Sequence, residues 1–247
     1  MNSILITGCN RGLGLGLIKT LLNVSTPPAH VIATCRNLQK AEELQELSQK
    51  HQNLHVIQFD TTDFNSYDRV TKEVENVVQG KGLNVLFNNA GIASKSTRLS
   101  GVRADDFTKS FLANTTAPIM LTKALHPLLK KSAEINGDKP MGVGRAAVIN
   151  MSSILGSIGS NVEGGMYSYR ASKSALNAAT KSMSIDFKDS KILCVSLHPG
   201  WVKTDMGGKN APLEIDSSCK RMIETIMSLN ETNNGTFLQF DGKSLPW

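Results

Sequence analysis

Seven short apolar runs recur along the chain, each separated from the next by room for a helix: SILIT (3–7), HVIAT (30–34), HVIQF (55–59), NVLFN (84–88), AAVINM (146–151), ILCVSL (192–197) and TFLQF (236–240). They are rich in Val, Ile and Leu and do not alternate with polar residues. A sheet with one wet face would alternate, so these runs predict strands buried on both faces. Helical patterns fall between them near 14–22, 40–51, 65–79, 103–131, 167–187 and 217–229, with a break expected near Pro118. Such alternation predicts an α/β fold, a doubly wound parallel sheet of about seven strands with helices on both faces. No repeat, low-complexity tract or linker interrupts it, so residues 1–247 are expected to form one domain. Ligands of such sheets bind beyond the carboxyl ends of the strands. Function is therefore sought in the residues just past each strand.

Composition narrows the classes of function. Hydrophobic residues make up 40% and charged residues 19%, and no apolar run reaches the ~18 residues of a membrane span. The start, MNSILIT, enters a strand without a charged leader, so a cytoplasmic protein with no membrane association is expected. Cys9, Cys35, Cys194 and Cys219 are scattered, with no C-x-x-C and no histidine at metal spacing. This pattern predicts free thiols in a reducing compartment and no metal site. The net charge is +6, but the basic residues are dispersed and aromatics amount to only 5%. That excludes a basic stripe interleaved with stacking rings, and with it nucleic acid as partner. An anionic small molecule is the better use for the charge.

The first strand runs into TGCNRGLG, residues 7–14. Gly8, Gly12 and Gly14 between a strand and a helix allow a tight turn and let backbone N–H groups approach a pyrophosphate at the helix N-terminus. The second strand ends in ATCRN (33–37), which offers Arg36 and no acid. An acid there would take the ribose hydroxyl of NAD, whereas an arginine accommodates the 2′-phosphate of NADP. Arg11, inside the glycine turn, supplies a second forked cation. NADP(H) is the expected cofactor. Further on, YSYRASK (167–173) holds two tyrosines and a lysine. Tyr169 and Lys173 are four apart and share a helix face; Tyr167 lies roughly 240° around from Lys173. A cation close to a phenol favours the phenolate, so Lys173 is expected to lower the pKa of Tyr169 from ~10 towards neutrality.

Together these segments resemble the short-chain dehydrogenase/reductase family over nearly the whole chain. The glycine turn is similar to the family's cofactor loop, which implies cofactor contacts from Gly8, Asn10, Arg11, Gly12, Leu13 and Gly14. FDTTD (59–63) resembles the segment whose first Asp, here Asp60, contacts the adenine, and NNAG (88–91) matches the signature that brings Asn89, Ala90 and Gly91 to the cofactor. LANTTAP (112–118) puts Asn114, INMSSILGS (149–157) puts Ser153, and YRASK puts Tyr169 and Lys173 at the family's catalytic positions. HPGWVKTDM (198–206) resembles the segment facing the nicotinamide, with Pro199, Gly200, Val202 and Thr204. Within the family the wording is similar to sniffer-type carbonyl reductases. Ser153 lies 16 residues before Tyr169, a longer spacing than many relatives have, and SIGSNVEGG (157–165) takes up the excess.

The resemblance implies a Rossmann-type fold and an NADPH-dependent carbonyl reductase acting on an aldehyde, ketone or quinone. Tyr169 is the implied proton donor, Ser153 orients the carbonyl oxygen, Lys173 also holds the nicotinamide ribose, and Asn114 anchors a water that resupplies the proton. The loops near 92–104, 156–168 and 205–216 mix Gly, Ser, Met and Ile, as an apolar pocket for a small-molecule carbonyl requires. Monomer and homodimer are both expected states in the family. Two alternatives stay open: an NADP-linked alcohol dehydrogenase running in the oxidative direction, and a non-catalytic NADP sensor on the same fold.

Overall fold

The computed structural model describes residues 1–93 and 98–247. β1 (Ser3–Ile6) leads into α1 (Gly12–Leu22), followed by β2 (His30–Cys35), α2 (Glu42–Lys50), β3 (Leu54–Gln58), α3 (Tyr67–Val78) and β4 (Val85–Asn88). The second half carries α4 (Ala104–Phe111), α5 (Ala117–Ile135), β5 (Ala147–Met151), α6 (Tyr167–Asp186), β6 (Leu193–His198), α7 (Ile215–Ser228) and β7 (Phe237–Gln239). The described strands form one seven-stranded Rossmann-type sheet in the order β3-β2-β1-β4-β5-β6-β7. Every adjacent pair is parallel. From β1 the chain winds outward to β3, then returns to β4 and winds the other way. The switch between β1 and β4 opens a crevice at the carboxyl end of the sheet.

Successive strand residues point to opposite faces. Ile4 and Ile6 join Leu17 and Leu21 of α1 and Met222 and Ile226 of α7 in one core layer. Leu5, between them, joins Val70 and Val74 of α3, Leu121 and Leu125 of α5 and Met183 of α6 in the other. Both sides of each strand face helices, which is why the strand sequences are apolar without alternation.

The break expected near Pro118 takes a different form. α4 continues through a π turn, Leu112–Thr116, directly into α5. Pro118 sits where the π turn passes into α5: Ala117 N donates to Leu112 O, five residues back, and Pro118 has no N–H to continue the ladder. The widened turn buries Asn114 and Thr115 against α6. Part of the expected loop 92–104, residues 94–97, lies outside the described residues. Among the described residues no helix is long and apolar enough to cross a membrane.

One polar row crosses the α5/α6 layer. Asn88 on β4 donates to Asn150 on β5 at 2.8 Å, and Asn150 donates to Thr180 of α6 at 2.8 Å. His198 closes β6, buried, and its Nδ1 finds no hydrogen-bond partner among the described residues. Burial lowers its pKa from 6.5 to about 4. Between these values the unfolded chain binds a proton that the folded chain does not, so stability falls as pH drops through the window. The loss should approach ~3 kcal/mol near pH 4. Urea titrations from pH 7 to pH 4 should show a shallower decline in His198→Gln; equal slopes in both proteins would remove His198 as the cause.

All four cysteines are buried and unpaired. Thiol titration should therefore find four slow-reacting groups in the native protein and four fast ones after denaturation, without reductant.

Candidate active site

The chain end of β1 is stitched to that of β4. Thr7 Oγ1 accepts from the N–H groups of Asn89 and Ala90, each at 3.0 Å, and Asn89 Nδ2 donates to Thr7 O at 2.7 Å. Gly8 has φ +73, and a Cβ there would stand 3.0 Å from Ala90 Cα. At Gly14 a Cβ would come within 2.2 Å of Gly8 O. These two glycines are required because the turn folds back on itself and on β4. α1 then opens at Arg11 with no side-chain cap and no acid in its first turn. Its leading N–H groups keep their capacity to hold an anion, and the helix dipole favours one.

A groove of about 340 Å³ runs from this turn across the sheet end. It collects Gly8, Asn10, Arg11, Gly12, Leu13 and Gly14 from the turn, Arg36 after β2, Asp60 after β3, and Asn89, Ala90 and Gly91 after β4. Tyr169, Lys173, Pro199 and Thr204 line its other end. Asn114, Ser153, Gly200 and Val202 are not in the lining. Gly200, at φ +84, is packed against Leu213 and Phe240, and Val202 is buried and bridges to Leu213, so both shape the segment from behind. Asp60 Oδ1 accepts from the N–H and hydroxyl of Thr62, which fixes its carboxylate.

The groove also holds residues that the sequence did not single out. Asp205 reaches across to Arg11, Nη1 to Oδ2 at 2.6 Å, with both side chains largely exposed. Lys40 joins Arg36 on the groove wall. The short turn at Leu38–Lys40 returns it to the side of Arg36. Asp205 carries no local signal, since it stands 194 residues from Arg11.

At the far end, β5 delivers Ser153 in extended conformation, and its Oγ accepts from Leu155 N at 3.2 Å. Its side chain stands close enough to the Tyr169 phenol, which is 8% exposed, to act on that group's pKa. Lys173 is 3% exposed and donates to Met151 O at 2.7 Å. Its Nζ lies 5.8 Å from the Tyr169 ring centroid. Asn114 Nδ2 donates to Ile92 O and to Ser172 Oγ, and its Oδ1 accepts from Ile92 N at 2.8 Å. Gly91 is wedged between them: a Cβ there would sit 3.1 Å from Asn114 Oδ1 and 3.5 Å from Lys173 Nζ. Asn114, Ser153, Tyr169 and Lys173 thus form one cluster. Tyr167, 39% exposed, stands outside it.

The expected lowering of the Tyr169 pKa is not what this geometry gives. Burial pushes the phenol up, and the neighbouring Ser153 side chain only pulls it part of the way back. Lys173 is itself pushed down to about 8 by burial, and its amine is committed to Met151 O. In a dry site, loss of solvation outweighs the benefit of a neighbouring cation.

A family model described as short chain dehydrogenase matches residues 2–214. The chain belongs to the short-chain dehydrogenase/reductase family, and it is an oxidoreductase of that family. The solved structure of carbonyl reductase Sniffer of D. melanogaster is 57% identical, with a TM-score of 0.99 and full coverage of both chains. An NADPH-bound carbonyl reductase from chicken fatty liver is 40% identical, with a TM-score of 0.94, covering 100% of this chain and 99% of that one. The C-signal protein of Myxococcus xanthus is 37% identical over 165 residues, which is 67% of this chain and 93% of that protein. The resemblance read from the sequence to the family and to sniffer-type carbonyl reductases is borne out by these matches.

Proposed function

We propose that this protein is an NADPH-dependent carbonyl reductase with Tyr169 as proton donor. The observation that carries the reading is the buried Tyr169 and Lys173, backed by Ser153, at one end of a groove whose other end is an uncapped helix N-terminus with Arg36 and Lys40 on the wall beside it. The donor set fits NADP(H): the α1 amides for the pyrophosphate, Arg36 and Lys40 for the 2′-phosphate, Asp60 for the adenine, and Thr204 with Pro199 for the nicotinamide. When bound, the cofactor supplies the hydride.

The protein's own part is to hold the carbonyl and move a proton. Burial makes the Tyr169 phenol a weaker acid but keeps it protonated, and the far more basic alkoxide oxygen that forms on the carbonyl is what takes its proton. Ser153 Oγ, beside the Tyr169 phenol, orients the same carbonyl oxygen. Lys173, with a pKa of about 8, exchanges protons readily near neutral pH. Asn114, held on both sides of its amide, fixes the backbone of Ile92 beside Lys173 and anchors the resupplying water. The same reading takes residues 1–247 as one domain, monomer or homodimer, working in a reducing cytoplasm where the buried thiols stay free.

The test is a panel of aldehydes, ketones and quinones followed by loss of NADPH absorbance. Turnover of at least one class supports the reading. Binding of NADPH without turnover of any of them, or of alcohols with NADP+, would favour a sensor.

A further inference from the structure

Tyr67 opens α3 just past the segment that carries Asp60, and it is buried without lining the groove. Its hydroxyl donates to Thr61 O at 2.6 Å and lies 3.2 Å from Ala117 O, so one proton is shared between two carbonyls. Those carbonyls belong to different walls of the groove. Thr61 follows β3 and lines the groove with Asp60 and Thr62. Ala117 begins α5, directly after the π turn whose Ala113 lines the groove from its own side. Thr61, Ala90, Ala113 and Ala117 also line one narrow cleft, too tight for a water molecule, so the two segments face each other across it.

The ring that carries this hydroxyl has little freedom. Phe59 and Phe64 meet it edge-on, with centroids 5.3 and 5.5 Å away. Burial, together with the Asp60 and Asp63 carboxylates, pushes the phenol up, so it keeps its proton and stays a donor at any working pH. A buried tyrosine hydroxyl needs a partner, and one would suffice. Reaching a second, on a residue 50 positions away, turns the side chain into a brace between the two walls. We propose that Tyr67 is a positioning residue for the adenine end of the cofactor: its hydroxyl sets the spacing between segment 60–62 and the start of α5. It lines no part of the groove itself and acts through the backbone of Thr61. The adenine role rests on the reading of the groove as an NADP(H) site with Asp60 at the adenine; the brace does not.

Tyr67→Phe removes the hydroxyl and keeps the ring between Phe59 and Phe64, so the fold survives while the brace is lost. The N–H groups of Thr62, Asp63 and Ser66 are bonded within their own segment, to Asp60 Oδ1, Asp60 O and Asp63 O. Their amide hydrogen exchange in the free protein should speed up in the variant, which reads the brace without any ligand. Calorimetry should show NADPH, NADH and 2′,5′-ADP each bound about tenfold more weakly, by one common factor, because the adenosine is the part they share. KM for NADPH should rise by the same factor, with kcat at saturating NADPH within about twofold of the parent. The common factor separates this effect from the contacts of Arg36 and Lys40 with the 2′-phosphate, whose loss spares NADH. Unaltered exchange in Tyr67→Phe would overturn the brace. Faster exchange with parental nucleotide affinity would overturn the adenine role, as would a loss confined to NADPH or a fall in kcat alone. If the parent protein binds neither NADPH nor 2′,5′-ADP, the NADP(H) reading and the adenine role fall together, and the exchange result still judges the brace.

Discussion

Tyr169→Phe is expected to lose roughly 10²–10⁴-fold in kcat while binding NADPH as the parent does. Tyr167→Phe is expected to keep most of its activity. The two tyrosines are two residues apart in sequence, yet their surroundings differ completely. Tyr169 is buried, beside Ser153 and close to Lys173; Tyr167 opens α6 on the exposed side. Removing one oxygen from Tyr169 takes away the proton donor and leaves the ring's packing in place. The change should therefore appear in kcat rather than in the thermal midpoint. Ser153→Ala offers a graded comparison, since it removes an orienting group and leaves the acid. Equal turnover by Tyr169→Phe and the parent would sink the assignment of Tyr169 as donor.

The sheet is legible in the sequence because its cause is local. A strand covered on both faces must be apolar on both, and that leaves its mark within five or six residues; at the β1 turn, positive φ calls for glycine at Gly8 and Gly12, and the closeness of Gly8 O calls for it at Gly14. The identity of the Tyr–Lys pair is legible for a similar reason, since helical spacing alone separates Tyr169 from Tyr167. The hidden features depend on distant partners. The π turn at Leu112–Thr116 is fixed by Asn114 bonding Ile92 and Ser172, neither of which is near it in sequence. The direction of the Tyr169 pKa depends on how dry the site is, and burial is decided by the whole fold. Arg11 reads as a free cation until the segment after β6 brings Asp205 to it. A surface lysine after a strand is ordinary, and only the groove gives Lys40 a purpose.

We propose that cofactor choice rests chiefly on Arg36 and Lys40, with a smaller part for Arg11, the other member of the pair the sequence suggests. Arg11 has Asp205 as a partner across the groove, whereas Arg36 and Lys40 lie together on its wall. A phosphate between a guanidinium and an ammonium gains two charge-assisted contacts, each worth ~1.5–3 kcal/mol, so the pair favours NADPH over NADH by ~10²–10⁴-fold in affinity. Both side chains are exposed, which places the effect at the lower end at physiological salt and makes it shrink as salt rises. The double change Arg36→Gln with Lys40→Gln should therefore weaken NADPH binding by about 10²-fold or more and leave NADH nearly untouched. Binding of 2′,5′-ADP, followed by calorimetry, should fall in parallel and needs no turnover. Adding Cys35→Asp places an acid where the ribose hydroxyl of NADH arrives and the 2′-phosphate is repelled, which should carry the preference past parity. Arg11→Gln alone should do less than Arg36→Gln alone, since it breaks an exposed ion pair of small value as well as a cation near the groove. Equal affinity of the parent protein for NADH and NADPH would defeat the assignment and return Arg36 and Lys40 to the solvated surface.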